Sequence, residues 1–471
     1  MKHQLKIAAE GLSVGDLTFD ARENTYKFEY AKAWQRSPTA YYLAPAIPLL
    51  GEPDSSSSIH RFLENLLPEG RALDIAAINN QVSKSNVFAL IRFLGKEPVG
   101  AFSFAPTGGQ QPSGAEIARD EHMGPIRRHI SNEELSQRIR ERDAIPFPVW
   151  DGKVRLSVAG YQDKLQVLVE GEHLSLADGT LSSTHLLKPE SRNPHMPGMV
   201  ANEHYCMTLA ARLNHNGRGL LHVAPVSIRR VPEPVLLIAR FDRIPQKELK
   251  DPERVIAVAR RHIIDGCQAL DFPSTLRYER NLGSGRDMRD IREGVSFAKL
   301  FGLLGDKKTG AESKIVTPAL ARTFFIRWAI LQLMLGNSDA HGKNISFFVL
   351  PAGLMPAPVY DLVSVNAYGD TVEREMAMAY GDAFLPEEIT AYELAYFANR
   401  TNTSIRQLAR EITSMARCTL KLAPELASSE VYRGDERDVV HRVATFVCAQ
   451  AKLLLAIARE LPTISPNLFQ T

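Results

Sequence analysis

The chain has 471 residues, which at roughly 150 residues per domain is a prior of about three domains or two large ones. Lys plus Arg number 56 against 54 Asp plus Glu, a formal charge of +2, with 23% charged and 44% hydrophobic residues; this excludes an acidic disordered chain and a globally basic nucleic-acid coat. The 30 Gly and 28 Pro match average usage and exclude collagen-like or low-complexity architecture.

The first stretch, Leu5 to about Leu49, reads as short alternating segments (QLKIAA, LTFD, TYKFEYA, AYYLAPAIPL) between turns, the pattern of a small antiparallel sheet. The serine run Ser55 to Ser58 then supplies a loop and N-cap for IHRFLENLLPEG, whose apolar residues recur at helical spacing until Pro68 and Gly70. A second apolar helix, NVFALIRFLG, ends at Gly95, and the strand-like VGAFSFAP follows. PTGGQQPSG, Pro106 to Gly114, has no apolar face and reads as an exposed excursion. Ser131 with Glu134 forms a capping-box pattern before a polar helix, and Pro146 and Pro148 stop it, which places a first boundary there. Residues 153–245 read strand, turn, strand, strand, helix, strand, strand; the remainder is mostly helical, interrupted by ISFFVL and VYDLVS, both read as short strands. The expected division is 1–148, 149–245 and 246–471.

The four cysteines, Cys206, Cys267, Cys418 and Cys448, include no C-x-x-C pair, so neither a zinc ribbon nor a disulfide framework is on offer and a reducing cytoplasm fits. The start, MKHQLKIAAEGLSVGD, lacks a signal-peptide core, and no run approaches the roughly 18 apolar residues of a membrane span. A cytoplasmic protein without membrane contact is expected.

The most unusual polar segment is GNSDAHGKN, Gly336 to Asn344, which follows the apolar helix ARTFFIRWAILQLML. A loop carrying Asp339, His341 and Lys343 between two buried elements is costly unless its groups are paired or used. Asp339 precedes Asn344 by five residues and Asp361 follows in VYDLVS. That order is the one in which protein kinases set a catalytic aspartate, a magnesium-binding Asn and a magnesium-binding Asp. One amide and one carboxylate suit magnesium, a hard cation that takes its other ligands from phosphate and water. Taken singly, each residue reads equally well as a hydrogen-bonded turn; the three together favour the kinase chemistry.

A kinase also needs a grip on ATP upstream. KVRLSVAGYQDKLQVLV offers a small-residue turn, Ser157, Val158, Ala159 and Gly160, whose backbone N–H groups can close over phosphates, an ordinary hairpin being the alternative. Lys188 ends the strand THLLK and is the candidate phosphate lysine, with Glu203 on the next helix as its partner; a solvated lysine and a surface glutamate are the alternatives.

RLSVAGYQDKLQV, THLLKP, NEHYCMTLAARL, ARFDR, CQALDFPSTLRYE, LGNSDAHGKN, PVYDLVS and EMAMAYG, with RFLENLLPEG upstream, occur in an order that resembles the HipA-like serine/threonine kinase toxins over nearly the whole chain. The resemblance implies an α+β fold: a bilobal protein-kinase-like structure with an N-terminal α/β subdomain and a mainly helical C-lobe. It implies ATP and Mg2+ as cofactors, Asp339 as the catalytic residue, Asn344 and Asp361 as metal ligands, and Lys188, His341 and Lys343 at the ATP. Arg240 and Phe241 fall on the hinge whose backbone meets adenine, and Ser157 on the serine that relatives autophosphorylate. It further implies a HipB-like helix-turn-helix antitoxin that contacts operator DNA, with DNA reached only indirectly through that complex. The substrate class is an aminoacyl-tRNA synthetase, the glutamyl enzyme by resemblance, whose inhibition stops translation. One departure stands out: a run that is usually polar in the family reads His262, Ile263, Ile264, Asp265, which bears on the protein substrate.

GDKKTGAES, Gly305 to Ser313, has Ala311 where a Walker lysine must be, and GSGRDM lacks the third glycine of a dinucleotide fingerprint. The pairs Arg229 with Arg230 and Arg260 with Arg261 read as solvated surface, DNA phosphate contact being the alternative. A different class remains open, a catalytically weak module that acts with its antitoxin as a transcriptional corepressor, and magnesium-dependent ATP turnover separates it from a kinase.

Overall fold

The structure, a computed structural model, describes residues 1–107, 124–155, 162–216, 219, 221–283, 285–306 and 310–469. Much of the PTGGQQPSG excursion and all of Ser157, Val158, Ala159 and Gly160 lie outside the described residues. The chain forms two compact units, one of Met1–Pro189, Arg229–Ile264 and Phe348–Ala352, the other of Glu190–Ile228, Asp265–Phe347 and Gly353–Thr471.

The first unit begins with an antiparallel four-stranded sheet in the order Thr25–Tyr30, Leu12–Asp20, Lys2–Ala9, Phe102–Pro106. Alternation sets its faces: Leu5, Ile7 and Ala9 are buried while Lys2, Gln4 and Lys6 are exposed. The expected fourth strand, AYYLAPAIPL, is irregular, and Phe102–Pro106 takes that place. Pro45 and Pro48 have no N–H for a ladder, so this segment is pinned by side chains instead. Tyr30 Oη donates to Ile47 O and accepts from Leu43 N, and Trp34 Nε1 donates to Tyr41 O. The helices Ser56–Asn65 and Val87–Leu94 start where Ser55 and Asn86 accept from Ser58 N and Ala89 N.

The same unit carries the sheet ordered Pro234–Ala239, His185–Pro189, Leu165–Glu170, His173–Asp178, Ile126–Ile130, with Arg229 and Arg230 of the strand Val226–Arg230 at its edge beside Pro234–Ala239. Leu165, Val167, Leu174, Leu176, Leu187, Val235 and Leu237 form one face of a core completed by Leu135, Phe147 and Trp150. The helix Asn132–Arg140 is capped by Ser131, whose side chain accepts from Glu134 N.

The second unit is helical. Its central element, Pro318–Leu335, is buried without interruption from Phe324 to Leu335, as a helix apolar on all sides must be. Gly336 ends it in the left-handed region at φ 61°, where a side chain would be strained. The helices Ile405–Ala427 and Glu436–Glu460 pack on each other and on Pro318–Leu335. By length and composition the stretch Glu436–Thr463 is apolar enough to cross a membrane, contrary to the expectation from unbroken apolar runs, because Lys452 interrupts it. Its buried residues, Val439, Val440, Val443, Ala444, Val447, Ala451, Leu454, Ile457 and Ala458, recur at the helical period, the one-sided stripe of a helix packed in a protein core.

Candidate active site

The loop after Pro318–Leu335 is assembled around Asn337, which is 1% exposed. Its Nδ2 donates to Gln332 Oε1 at 2.9 Å and to the Asp361 carbonyl at 3.4 Å, while its Oδ1 accepts from Asp339 N at 3.3 Å. One buried amide thus ties the backbone of Asp339 to that of Asp361. From Asn337 to Asn344 every residue is buried except Asp339, whose side chain is 49% exposed. A wholly buried polar loop that presents a single carboxylate outward has its other groups satisfied internally. Asn344 Nδ2 donates to Asp339 O at 2.6 Å, and Lys343 N donates to His341 Nδ1 at 3.2 Å. His341 Nε2 lies 3.9 Å from Asp339 Oδ1. Tyr278 donates its hydroxyl to that same oxygen. Lys343 Nζ donates to Asp265 Oδ2 at 2.7 Å, and Asp265 also caps the short helix Gly266–Ala269 through a capping box with Gln268.

VYDLVS is not the strand its apolar pattern suggested; the second short strand is Gly353–Pro356. Asp361 sits at φ 55°, outside the extended region, so a ladder cannot run through it. On either side of it, Val359 makes an isolated parallel bridge with Val223, and Ser364 is clamped by the fully buried Asn202, whose Oδ1 accepts from Ser364 N at 2.8 Å and whose Nδ2 donates to Ser364 O at 3.1 Å. The strained turn is thereby fixed at both ends, as is common for residues that bind ligands.

The donor set fits a hard divalent cation. Asn344 Nδ2 is committed to a carbonyl, which identifies its Oδ1 as the oxygen donor of that amide, and Asp361 carries a carboxylate. Among the described residues no group of three or more His, Cys, Asp or Glu forms a metal cage, so a cation held here takes its other ligands from phosphate and water.

In the first unit, Lys188 is 4% exposed on the strand His185–Pro189, opposite Leu236. Glu203, on Met199–Asn216 in the second unit, is 2% exposed. Neither the solvated-lysine nor the surface-glutamate alternative describes them. Arg240 donates its backbone N–H to Thr184 O at 2.9 Å and its guanidinium to Asp242 and Ser183, and Phe241 packs edge-on against Phe348 at 6.0 Å. Arg260 donates to the carbonyls of Lys96, Pro98, Gly100 and Phe102, and Arg229 to Glu172 O, so these two cations are engaged within the unit.

Ile263 and Ile264 are 4% and 0% exposed. His262 stacks on Tyr41, packs tilted against Phe102, meets the Leu43 carbonyl at 2.8 Å through Nε2, and is pushed by burial down to about 4. The departure from the polar pattern is therefore a packing feature of the core.

Sequence reasoning missed Asn337, Tyr278, Tyr360 and the role of Asp265. Tyr360 lies beside Asp361 and donates to Lys343 O at 2.5 Å, sharing its hydroxyl with Ser346 at 2.7 Å. No spacing rule links positions about 60 residues apart such as Tyr278 and Asp339; the RYE of the resembling segment was the only signal.

An outward carboxylate on a buried loop, an amide oxygen and a second carboxylate in this order define a kinase-type phosphotransferase. The HipA-like C-terminal domain family matches residues 156–421 and the HipA N-terminal domain family matches residues 5–105. The serine/threonine-protein kinase toxin HipA of Shewanella oneidensis is 42% identical over 86% of this chain and 85% of its own. The putative kinase Y4mE of Sinorhizobium fredii is 31% identical over 96% and 98%. A solved Shewanella oneidensis complex of HipA, HipB and operator DNA aligns over 98% of this chain and 100% of that one, with a TM-score of 0.82 and 38% identity. The chain belongs to the HipA family of serine/threonine kinase toxins, and its mixed α+β fold is that family's.

Proposed function

We propose that the chain uses ATP and magnesium to phosphorylate a serine or threonine hydroxyl of a protein, with Asp339 as the base, Asn344 and Asp361 as metal ligands, and Lys188 at the nucleotide phosphates. The observation that carries this is the Asn337 hub, which ties the backbones of Asp339 and Asp361 together while both residues stay partly exposed, the Asp339 side chain at 49%. In that arrangement the Asp339 carboxylate accepts the proton of the substrate hydroxyl as the hydroxyl oxygen bonds to the γ-phosphorus and the bond from that phosphorus to the β–γ bridging oxygen breaks, ADP leaving with the electron pair. Magnesium, when bound, supplies neutralisation of phosphate charge. His341 and Lys343 belong to the nucleotide side of the same loop, and Arg240 and Phe241 to the hinge. On this reading 1–148, 149–245 and 246–471 divide the labour between a subdomain, a nucleotide lobe and a catalytic lobe.

The toxin reading extends to a HipB-like helix-turn-helix antitoxin as partner, with operator DNA met through that complex, and to an aminoacyl-tRNA synthetase in the cytoplasm as substrate. Its support is the family and the solved HipA–HipB–operator complex. Induction without an antitoxin is expected to arrest translation, and overproduction of the true target to relieve it. An arrest that no synthetase relieves would point to another substrate class.

Ser157 is proposed to be autophosphorylated and to switch the enzyme off. A phosphoserine adds about −1.5 to −2 charge, and if Ser157 lies at the nucleotide phosphates, like-charge repulsion opposes nucleotide binding. After incubation with magnesium and ATP, mass spectrometry should find phosphate on Ser157 and the modified form should bind ATP more weakly. Undiminished binding by the phosphoform contradicts the switch.

A further inference from the structure

The Tyr278 hydroxyl reaches Asp339 from a segment with no regular secondary structure that is nonetheless fastened by hydrogen bonds on both sides of Tyr278. The Leu276 carbonyl accepts from Val295 N at 2.9 Å, and the Arg277 carbonyl accepts from Gly342 N in the catalytic loop at 2.9 Å. Glu279 N donates to Ala377 O at 3.0 Å, and Glu279 O accepts from Gly294 N at 3.1 Å. The Glu279 side chain, 2% exposed, accepts from Ala379 N at 2.8 Å and from Arg292 Nε at 2.7 Å. Gly294 is required for the approach, since a Cβ there would stand 1.7 Å from the Tyr278 carbonyl. The Tyr278 ring meets His341 edge-on at 4.9 Å and carries the Arg277 guanidinium 5.2 Å above its centroid. Burial, followed by the charge and hydrogen bond of Asp339, raises the phenol above its ordinary value, which keeps it a donor at neutral pH.

We propose that Tyr278 is the positioning residue of the catalytic base: its hydroxyl holds Oδ1 of Asp339 and so presents the other carboxylate oxygen to the substrate hydroxyl. The inference rests on the reading of Asp339 as that base. The terminal torsion of a carboxylate is broad, so a donor fixed by its own segment narrows the orientation, and misplacing a reacting group by about 1 Å costs about a hundredfold in rate.

The test is magnesium-dependent phosphate transfer from ATP to casein by the full-length protein, comparing wild type, Tyr278→Phe, Tyr278→His, Asp339→Asn and the Tyr278→Phe/Asp339→Asn double variant. Tyr278→Phe is expected to lower kcat by about ten- to a hundredfold with KM for ATP unchanged. Tyr278→His, which keeps a ring N–H donor, should recover part of that loss. In the Asp339→Asn background the Phe change should add no further loss, because the interaction it removes acts only through that carboxylate. A kcat within twofold of wild type, a faster enzyme as expected if the hydroxyl merely competes with substrate, a loss confined to KM, or a multiplicative loss in the double variant each overturns the inference. If Asp339→Asn is inactive while Tyr278→Phe is not, only the positioning role fails; if Asp339→Asn is fully active, the reading of the base fails.

Discussion

Asp339→Asn should reduce phosphotransfer by roughly a thousandfold or more while leaving the fold and nucleotide binding intact. The amide is nearly isosteric and can still accept from Tyr278, so the loop loses little packing. What it loses is the anion that accepts the hydroxyl proton, and removing an aligned group of this kind typically costs several kcal/mol of barrier. The backbone bonds of Asp339, from its N–H to Asn337 Oδ1 and from Asn344 Nδ2 to its carbonyl, do not depend on the side chain and should survive. Melting temperature and ATP affinity are the controls. A variant within tenfold of wild type would remove Asp339 from the chemistry.

The second large effect lies away from the catalytic loop and is on stability. Within the first unit, Asp242 Oδ1 accepts from Arg240 Nε at 3.0 Å, and its Oδ2 accepts from Arg240 Nη2 at 2.8 Å, Arg243 Nη1 at 2.6 Å and Gly100 N at 3.0 Å. Burial alone would raise this carboxyl, yet the two arginines hold it well below the usual carboxylate range. Burial lowers Arg243 to about 9, which leaves it charged at neutral pH. Asp242→Ala leaves two buried guanidinium groups with the more distant Glu97 carboxylate, at 3.6 and 3.7 Å, as their remaining counter-ion, and breaking a buried pair from one side costs up to about 3–5 kcal/mol. Denaturant unfolding of the full chain should show a loss of that size in the transition that includes the first unit. Because the folded value lies below the unfolded one, near 3.8, the contribution is complete above the unfolded value and is lost only as pH falls toward the folded one. A change under about 1 kcal/mol at pH 7 would mean that water satisfies the arginines.

The parts of this molecule that follow local rules are legible in its sequence. Ser55 and Ser131 cap the helices they were expected to cap, and the apolar run ending at Leu335 is the buried helix that delivers the catalytic loop. Where the reading failed, a local rule was overridden from a distance. AYYLAPAIPL has strand-like apolar content, but its prolines and the Tyr30 and Trp34 hydrogen bonds fix it as an irregular segment. VYDLVS alternates like a strand, but Asp361 takes a positive φ that no pattern of hydrophobicity encodes. The site followed the same division. Asp339, Asn344 and Asp361 could be proposed from sequence because kinase chemistry constrains the order of such groups along a chain. Asn337 was in plain view within GNSD, but its role consists of bonds to Gln332 and Asp361, contacts that exist only once the loop is folded. Asp265 stood out as part of a departure from the family pattern, and its pairing with Lys343 spans 78 positions.

The most direct test of the central claim is to incubate the purified full-length protein with γ-labelled ATP and cell extract, with and without magnesium, beside the Asp339→Asn variant. The account predicts label on serine or threonine of a protein acceptor, dependent on magnesium and absent from the variant. Label that persists with Asp339→Asn, or a folded wild-type protein that binds ATP and magnesium yet transfers no phosphate, would contradict it.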